Sequence, residues 1–122
     1  MDVQQFGTRM QRRLLIVEDH PDTAGTLAVL ARCCLFRTLI AASGFMGADI
    51  CSWWKPDVVL IDLSLPDIDG RAMAYAIRTV LKTAKLIAIG EGGVNAFDLE
   101  QAGFDDHVLK PVTLERLKDV LP

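Results

Sequence analysis

At 122 residues, with 51% hydrophobic and 24% charged side chains, the chain has the size and make-up of one globular domain. Its net charge of −3 argues against nucleic acid as the main partner, because phosphate binding draws on clustered Lys and Arg. No apolar run approaches the ~20 residues of a membrane helix, so no membrane contact and a cytoplasmic location are expected.

In chain order, residues 1–12 read as a polar tail without the apolar centre of a secretory signal, and residues 13–122 as the folded domain. Arg9, Arg12 and Arg13 form a small basic cluster, expected to be solvated. Leu14-Leu15-Ile16-Val17 is a short apolar run, read as the first strand, and it stops at the acids Glu18-Asp19. His20-Pro21-Asp22-Thr23 turns the chain, and Pro21 suits the first turn of a helix. Leu27, Leu30, Ala31 and Cys34 recur at helical spacing and predict a helix from Pro21 to Cys34. Gly25 inside it should cost about 0.5–1 kcal/mol relative to Ala. Cys33, Cys34 and Cys51 lack metal-ligand spacing, and the adjacent Cys33 and Cys34 read as small apolar core or rim residues in a reducing compartment.

Thr38-Leu39-Ile40-Ala41 is the second strand, and Ser43 is an N-cap for a helix that reaches Trp54 and ends at Lys55-Pro56. Val58-Val59-Leu60-Ile61 is continuously apolar, the pattern of a strand buried on both faces in a parallel sheet. Asp62 sits where that run ends, before a loop carrying Pro66, Asp67, Asp69 and Gly70. The third helix starts near Asp69 or Gly70 and carries Met73, Ile77 and Leu81 on one face. Lys85 to Ile89 is the fourth strand, stopped by Gly90-Glu91-Gly92-Gly93. A short helix from Ala96 to Ala102 is closed by Gly103, His107-Val108-Leu109 is the fifth strand, and Thr113 caps a last helix to Leu121.

Five strands alternating with five helices predict an α/β fold, a (βα)5 three-layer sandwich around a parallel sheet. The strand order 2-1-3-4-5 is adopted from the flavodoxin-like doubly wound fold. A dinucleotide fold would need a glycine-rich turn after the first strand, whereas Glu18-Asp19-His20-Pro21-Asp22 would repel phosphate. In the adopted order Glu18, Asp19 and Asp62 converge at the carboxyl end of the sheet. Three carboxylates at close range favour protonation unless a cation joins them. A hard divalent ion such as Mg²⁺, which takes oxygen ligands, suits them better than zinc, and Lys110 is a second positive partner. A carboxylate beside Mg²⁺ and an ammonium can attack phosphorus to give an acyl phosphate. Asp62 is the nucleophile of this reading, Asp19 the direct metal ligand and Glu18 a ligand through water. The alternative for Lys110 is a plain ion pair with Asp62 that ties two strands together.

The chain resembles a response-regulator receiver domain over Leu14 to Leu121. The matching motifs are Leu15-Ile16-Val17-Glu18-Asp19, then Asp62-Leu63-Ser64-Leu65-Pro66 with Gly70, then Ala102 to Pro111. Gly103 to Val112 is similar to receivers attached to hybrid histidine kinases. The resemblance implies that Asp62 takes a phosphoryl group from a phosphohistidine on a sensor histidine kinase or a histidine phosphotransfer domain. It further implies that Glu18, Asp19, Asp62 and the backbone carbonyl of Ser64 organise Mg²⁺, and that Lys110 contacts the phosphoryl group. Such a chain is a phosphoacceptor in a two-component phosphorelay rather than an enzyme, and its Lys110-Pro111 peptide is expected to be cis.

Two switch positions depart from the resembled pattern. Gly90 stands where a Thr or Ser hydroxyl is usual, and His107 where Tyr or Phe is common. The stretch from Gly90 to Lys110 is also shorter than the pattern, so an abbreviated fourth helix is expected. These features support an alternative function, a phosphorylation-independent interaction module. An aspartate-nucleophile phosphatase would need a second acid two residues after Asp62, where the chain has Ser64.

Overall fold

The continuous apolar runs fold as strands covered on both faces, as their lack of alternation requires. The structure is a computed structural model that describes residues 11–122. Five strands, β1 (Arg13–Val17), β2 (Arg37–Ala41), β3 (Val58–Asp62), β4 (Lys85–Gly90) and β5 (Asp106–Leu109), form one sheet in the order β2-β1-β3-β4-β5. All four neighbouring pairs are parallel. The helices α1 (Pro21–Cys33), α2 (Gly44–Trp54), α3 (Gly70–Val80), α4 (Ala96–Ala102) and α5 (Leu114–Val120) fill the crossovers.

Alternate residues of the three inner strands β1, β3 and β4 feed two separate cores. Leu14 and Ile16 of β1, with Val58 and Leu60 of β3, pack against Leu27, Ala28 and Ala31 of α1 and Leu117 and Val120 of α5. Leu15, Val17, Val59 and Ile61 face the other way, onto Ile50 and Trp54 of α2, Met73 and Ile77 of α3 and Leu99 of α4. Two helices on one face and three on the other make the three-layer sandwich. β3 is fully buried along its whole length, and it ends on Asp62.

Local signals account for most helix boundaries. Ser43 Oγ accepts from the Met46 N–H at 3.1 Å, and Thr113 Oγ1 from the Arg116 N–H at 3.2 Å, as N-caps do. Asp69 caps α3 through the Arg71 N–H at 2.8 Å. Asn95, which no pattern had singled out, caps α4 through the N–H groups of Phe97 and Asp98. Gly103 closes α4 at φ 108°, a conformation that favours glycine. α4 has 7 residues, in keeping with the abbreviated helix expected there.

The helix expected from Pro21 is present as α1, and two other expectations are corrected. α1 buries Ala24, Leu27, Ala28 and Ala31, while Leu30 and Cys34 lie at its margin, because the helix presents its narrow, small-residue face to the sheet. Cys33 is exposed and belongs to neither core nor rim, whereas Cys51 is fully buried. Arg12 is exposed, as expected, whereas Arg13 is half-buried and not part of a solvated tail. The Arg13 guanidinium donates to the Trp54 carbonyl at 2.7 Å and lies 5.8 Å from the Trp54 ring centroid, and Arg12 lies 5.8 Å from that of Phe36. Aromatic faces attract guanidinium groups. Arg9, the third member of the cluster, lies outside the described residues. Among the described residues no helix is long and apolar enough to cross a membrane.

Candidate functional site

Sheet register assembles the acidic end. Val17 pairs with Ile61, so the next residues along each strand, Glu18 and Asp62, sit side by side where β1 and β3 stop. Asp62 pairs with Ile89, and Gly90 with Leu109, so Lys110 emerges just past the end of β4. Its N–H donates to the Gly90 carbonyl at 2.9 Å. The Lys110-Pro111 peptide is cis, as expected from the resemblance.

Both oxygens of Asp62 have partners. Lys110 Nζ donates to Oδ2 at 3.1 Å, and the Ser64 N–H and hydroxyl donate to Oδ1 at 2.9 and 2.7 Å. Glu18 is as buried as Asp62. Its Oε1 accepts from the His20 N–H at 3.1 Å and faces the His20 ring Nδ1 at 3.2 Å. Burial, then the closeness of Asp62, push the Glu18 carboxyl up to about 7. Burial alone would raise Asp62 too, but the closeness of Glu18 and the hydrogen bonds from Ser64 and Lys110 outweigh it and hold Asp62 well below the usual carboxylate range. The pair therefore keeps its negative charge on Asp62. Burial acts to lower Lys110, and the bond and field of Asp62, with the fields of Glu18 and Glu91, more than reverse it.

The donor set fits a hard cation. Glu18 Oε2 and Asp19 Oδ1 are buried oxygens that accept no hydrogen bond. Buried acceptors are rarely left so, and oxygen-rich sites of this kind suit Mg²⁺. The closest trio differs from Glu18, Asp19 and Asp62. Among the described residues, Glu18, Asp19 and His20 offer ligand atoms that all lie within 4.8 Å of one another. Asp62 stands beside Glu18 but is drawn towards Lys110 and Ser64. Residue types alone had placed His20 only in a turn, and its adjacency to the acid pair was the signal available.

A cleft of about 380 Å³ opens over Asp62, lined by Ser64, Arg71, Gly90, Glu91, Asn95 and Lys110 among others. The loop from Gly90 to Gly93 forms one wall, so small residues leave the carboxylate approachable. His107 is not part of this cleft. It lies on β5 opposite Ala88, half-buried. Gly90 belongs to the cleft wall, and His107 lines a separate depression with Leu99 and Phe104. Asp67, from the same loop as Asp62, accepts from the Gly44 and Phe45 N–H groups at 3.0 and 3.1 Å and ties the loop to the start of α2.

Residues 14–122 match the family model of the response regulator receiver domain. The DNA-binding response regulator MtrA of Mycolicibacterium smegmatis is 32% identical over 108 residues, 84% of this chain and 45% of that protein. The sensor histidine kinase RcsC of Salmonella typhi is 29% identical over 113 residues, 88% of this chain and 12% of that protein. The chain thus spans less than half the length of these relatives. Among solved structures, a receiver domain from Methylobacillus flagellatus superposes with a TM-score of 0.82 at 28% identity, covering 90% of this chain and 95% of that one. A putative response regulator from Chloroflexus aurantiacus does so at 0.82 and 26% identity, covering 89% and 93%.

Proposed function

The chain belongs to the response regulator receiver domain family, and from that premise we propose that Asp62 is its phosphoacceptor. The donor is a phosphohistidine on a sensor histidine kinase or a histidine phosphotransfer domain. The observation that carries this reading is Asp62 itself, an ionised carboxylate at the end of the central strand, held at both oxygens and open to a cleft. An Asp62 oxygen attacks phosphorus, the phosphorus–nitrogen bond breaks, and the imidazole nitrogen keeps the electron pair. The product is an acyl phosphate.

The chain's residues divide the work by charge. Lys110 offsets charge that develops on the phosphoryl oxygens, as a preorganised donor does. The Ser64 N–H and hydroxyl orient the carboxylate through Oδ1. Glu18, Asp19, Asp62 and the Ser64 carbonyl are the residues that would hold Mg²⁺, with His20 bracing Glu18. When bound, the ion supplies positive charge that relieves the carboxylates and neutralises the incoming phosphoryl group.

The test is labelling by acetyl phosphate or a phosphorylated donor domain. Asp62 should be the residue modified, the adduct should be labile to hydroxylamine, and Asp62→Asn should abolish it. Label recovered on Ser64 would reject the assignment. The second reading, a phosphorylation-independent interaction module residing in residues 13–122, is favoured by Gly90, which offers no hydroxyl to a phosphoryl group. An unlabelled protein whose partner binding is the same for Asp62→Asn would establish that reading instead.

A further inference from the structure

The turn that presents Asp62 and the end of β4 meet at one side chain. Leu63 forks between two glycines: a Cβ built on Gly70 would lie 2.8 Å from its Cδ2, and one built on Gly90 would lie 3.1 Å from its Cδ1. Val94 closes the same place from the loop before α4, its Cγ2 being 3.0 Å from the Gly90 Cβ position. The volume that a side chain on β4 would use is therefore already taken. One occupant comes from the end of β3 and the other from the segment that leads into α4. Both Leu63 and Val94 are partly buried and pack onto the core shared by α2, α3 and α4.

The backbone of Leu63 is held as well, its N–H donating to the Ile89 carbonyl at 2.9 Å. The residues on either side of it are Asp62 and Ser64, whose N–H and hydroxyl hold Asp62 Oδ1. Leu63 and Val94 also line the cleft over Asp62, so both side chains stand between the acceptor carboxylate and the segment that leads into α4. A shift of the Asp62–Ser64 turn therefore moves Leu63 within the space beside Gly90 that it shares with Val94. His107 receives no comparable push, since Gly90 puts no side chain between the turn and β5.

We propose that Leu63 is a positioning residue for Asp62 and the lever through which a charge added at Asp62 reaches Val94 and α4, in place of a side chain on β4. The proposal rests on Asp62 being the phosphoacceptor. It makes the short α4 and the loop before it the output element, rather than His107 on β5.

Two measurements on the full chain test it. The first is thermal melting of Leu63→Ala, Gly90→Ala and the double variant. Gly90→Ala should lower the melting temperature of the parent, where Leu63 and Val94 must give way. In the Leu63→Ala background it should lower that temperature by less, because only Val94 still crowds the position. Additive effects would overturn the shared slot. The second is amide shift mapping with Mg²⁺ and saturating beryllofluoride. Shifts at Val94 and Ala96–Ala102 should be at least twice those at His107, and Leu63→Ala should cut them at least twofold while Ser64 still responds. An undiminished α4 response in Leu63→Ala, or a His107 response as large as that of Val94, would overturn the lever. Coupled melts without any beryllofluoride response would reject Asp62 as the acceptor, and with it the lever, while leaving the slot itself intact.

Discussion

Asp62 ends β3 and Lys110 follows directly on β5, two strands that do not touch, yet Lys110 Nζ donates to Asp62 Oδ2 at 3.1 Å across the end of β4. Removing the lysine leaves a buried carboxylate without its cation. We expect Lys110→Ala to lower stability by about 1–3 kcal/mol, below the full cost of a broken buried pair because Lys110 is partly exposed. Acyl phosphate formation should fall by roughly 10²-fold, the scale of losing one preorganised donor. Urea midpoints and a labelling time course check the two effects separately.

Glu18 makes stability depend on pH in a defined direction. Its carboxyl, raised from 4.5 to about 7 in the fold, favours the protonated form. The folded state thus binds more protons than the unfolded state between those values, and stability falls as pH rises through them. Asp62 acts in the opposite sense, contributing stability above its unfolded value of 3.8 that is lost as pH falls below it. Stability without added metal should therefore peak near pH 4–5 and decline by roughly 3–4 kcal/mol towards pH 8, at ~1.4 kcal/mol per pH unit of displacement. Glu18→Gln should flatten the decline. Denaturant melts at pH 5, 6, 7 and 8 measure it, and a parent more stable at pH 8 than at pH 5 would contradict it.

Mg²⁺ must compete with that proton. Binding should release a proton below pH 7 and tighten between pH 6 and 8. Asp19→Asn should weaken it by about tenfold or more, roughly 1.4 kcal/mol for one lost charged ligand. Calorimetric titration in two buffers of different ionisation enthalpy reports both affinity and proton count. An Asp19→Asn protein that binds Mg²⁺ as tightly as the parent would remove Asp19 from the site.

Gly25 lies in the middle of α1 with open space around it, since a Cβ there would meet nothing within 4 Å. Gly25→Ala should raise stability by about 0.5–1 kcal/mol by restricting the unfolded chain without a clash. Denaturant melting of the single variant is sufficient, and a lower midpoint would mean that the exposed face of α1 is not free.

The cysteines should react unequally. Burial pushes the Cys51 thiol up to about 12, whereas Cys33 is exposed. Thiolate is the reactive form, so an alkylating reagent at pH 8 should label Cys33 in the native protein and Cys51 only after unfolding. Peptide mapping distinguishes the two sites.

Much of this was legible in residue order because strand burial and helix capping are local in sequence. The unbroken Val58–Ile61 run could be satisfied only by helices on both sides, and Ser43 and Thr113 announced the helices that they cap. The acids Glu18, Asp19 and Asp62 and the base Lys110 stood out as charges placed where apolar runs stop. What tertiary structure alone decided is how these charges divide among themselves. Lys110 and Ser64 occupy Asp62, while His20 turns back on Glu18, and these choices depend on side-chain geometry that spacing does not encode. The place of Leu63 was equally hidden. Gly70 and Gly90 lie far apart in the chain, and only the pairing of β3 with β4, together with the fold-back of the loop into α3, brings both to one leucine, where the absence of two Cβ atoms makes room for it.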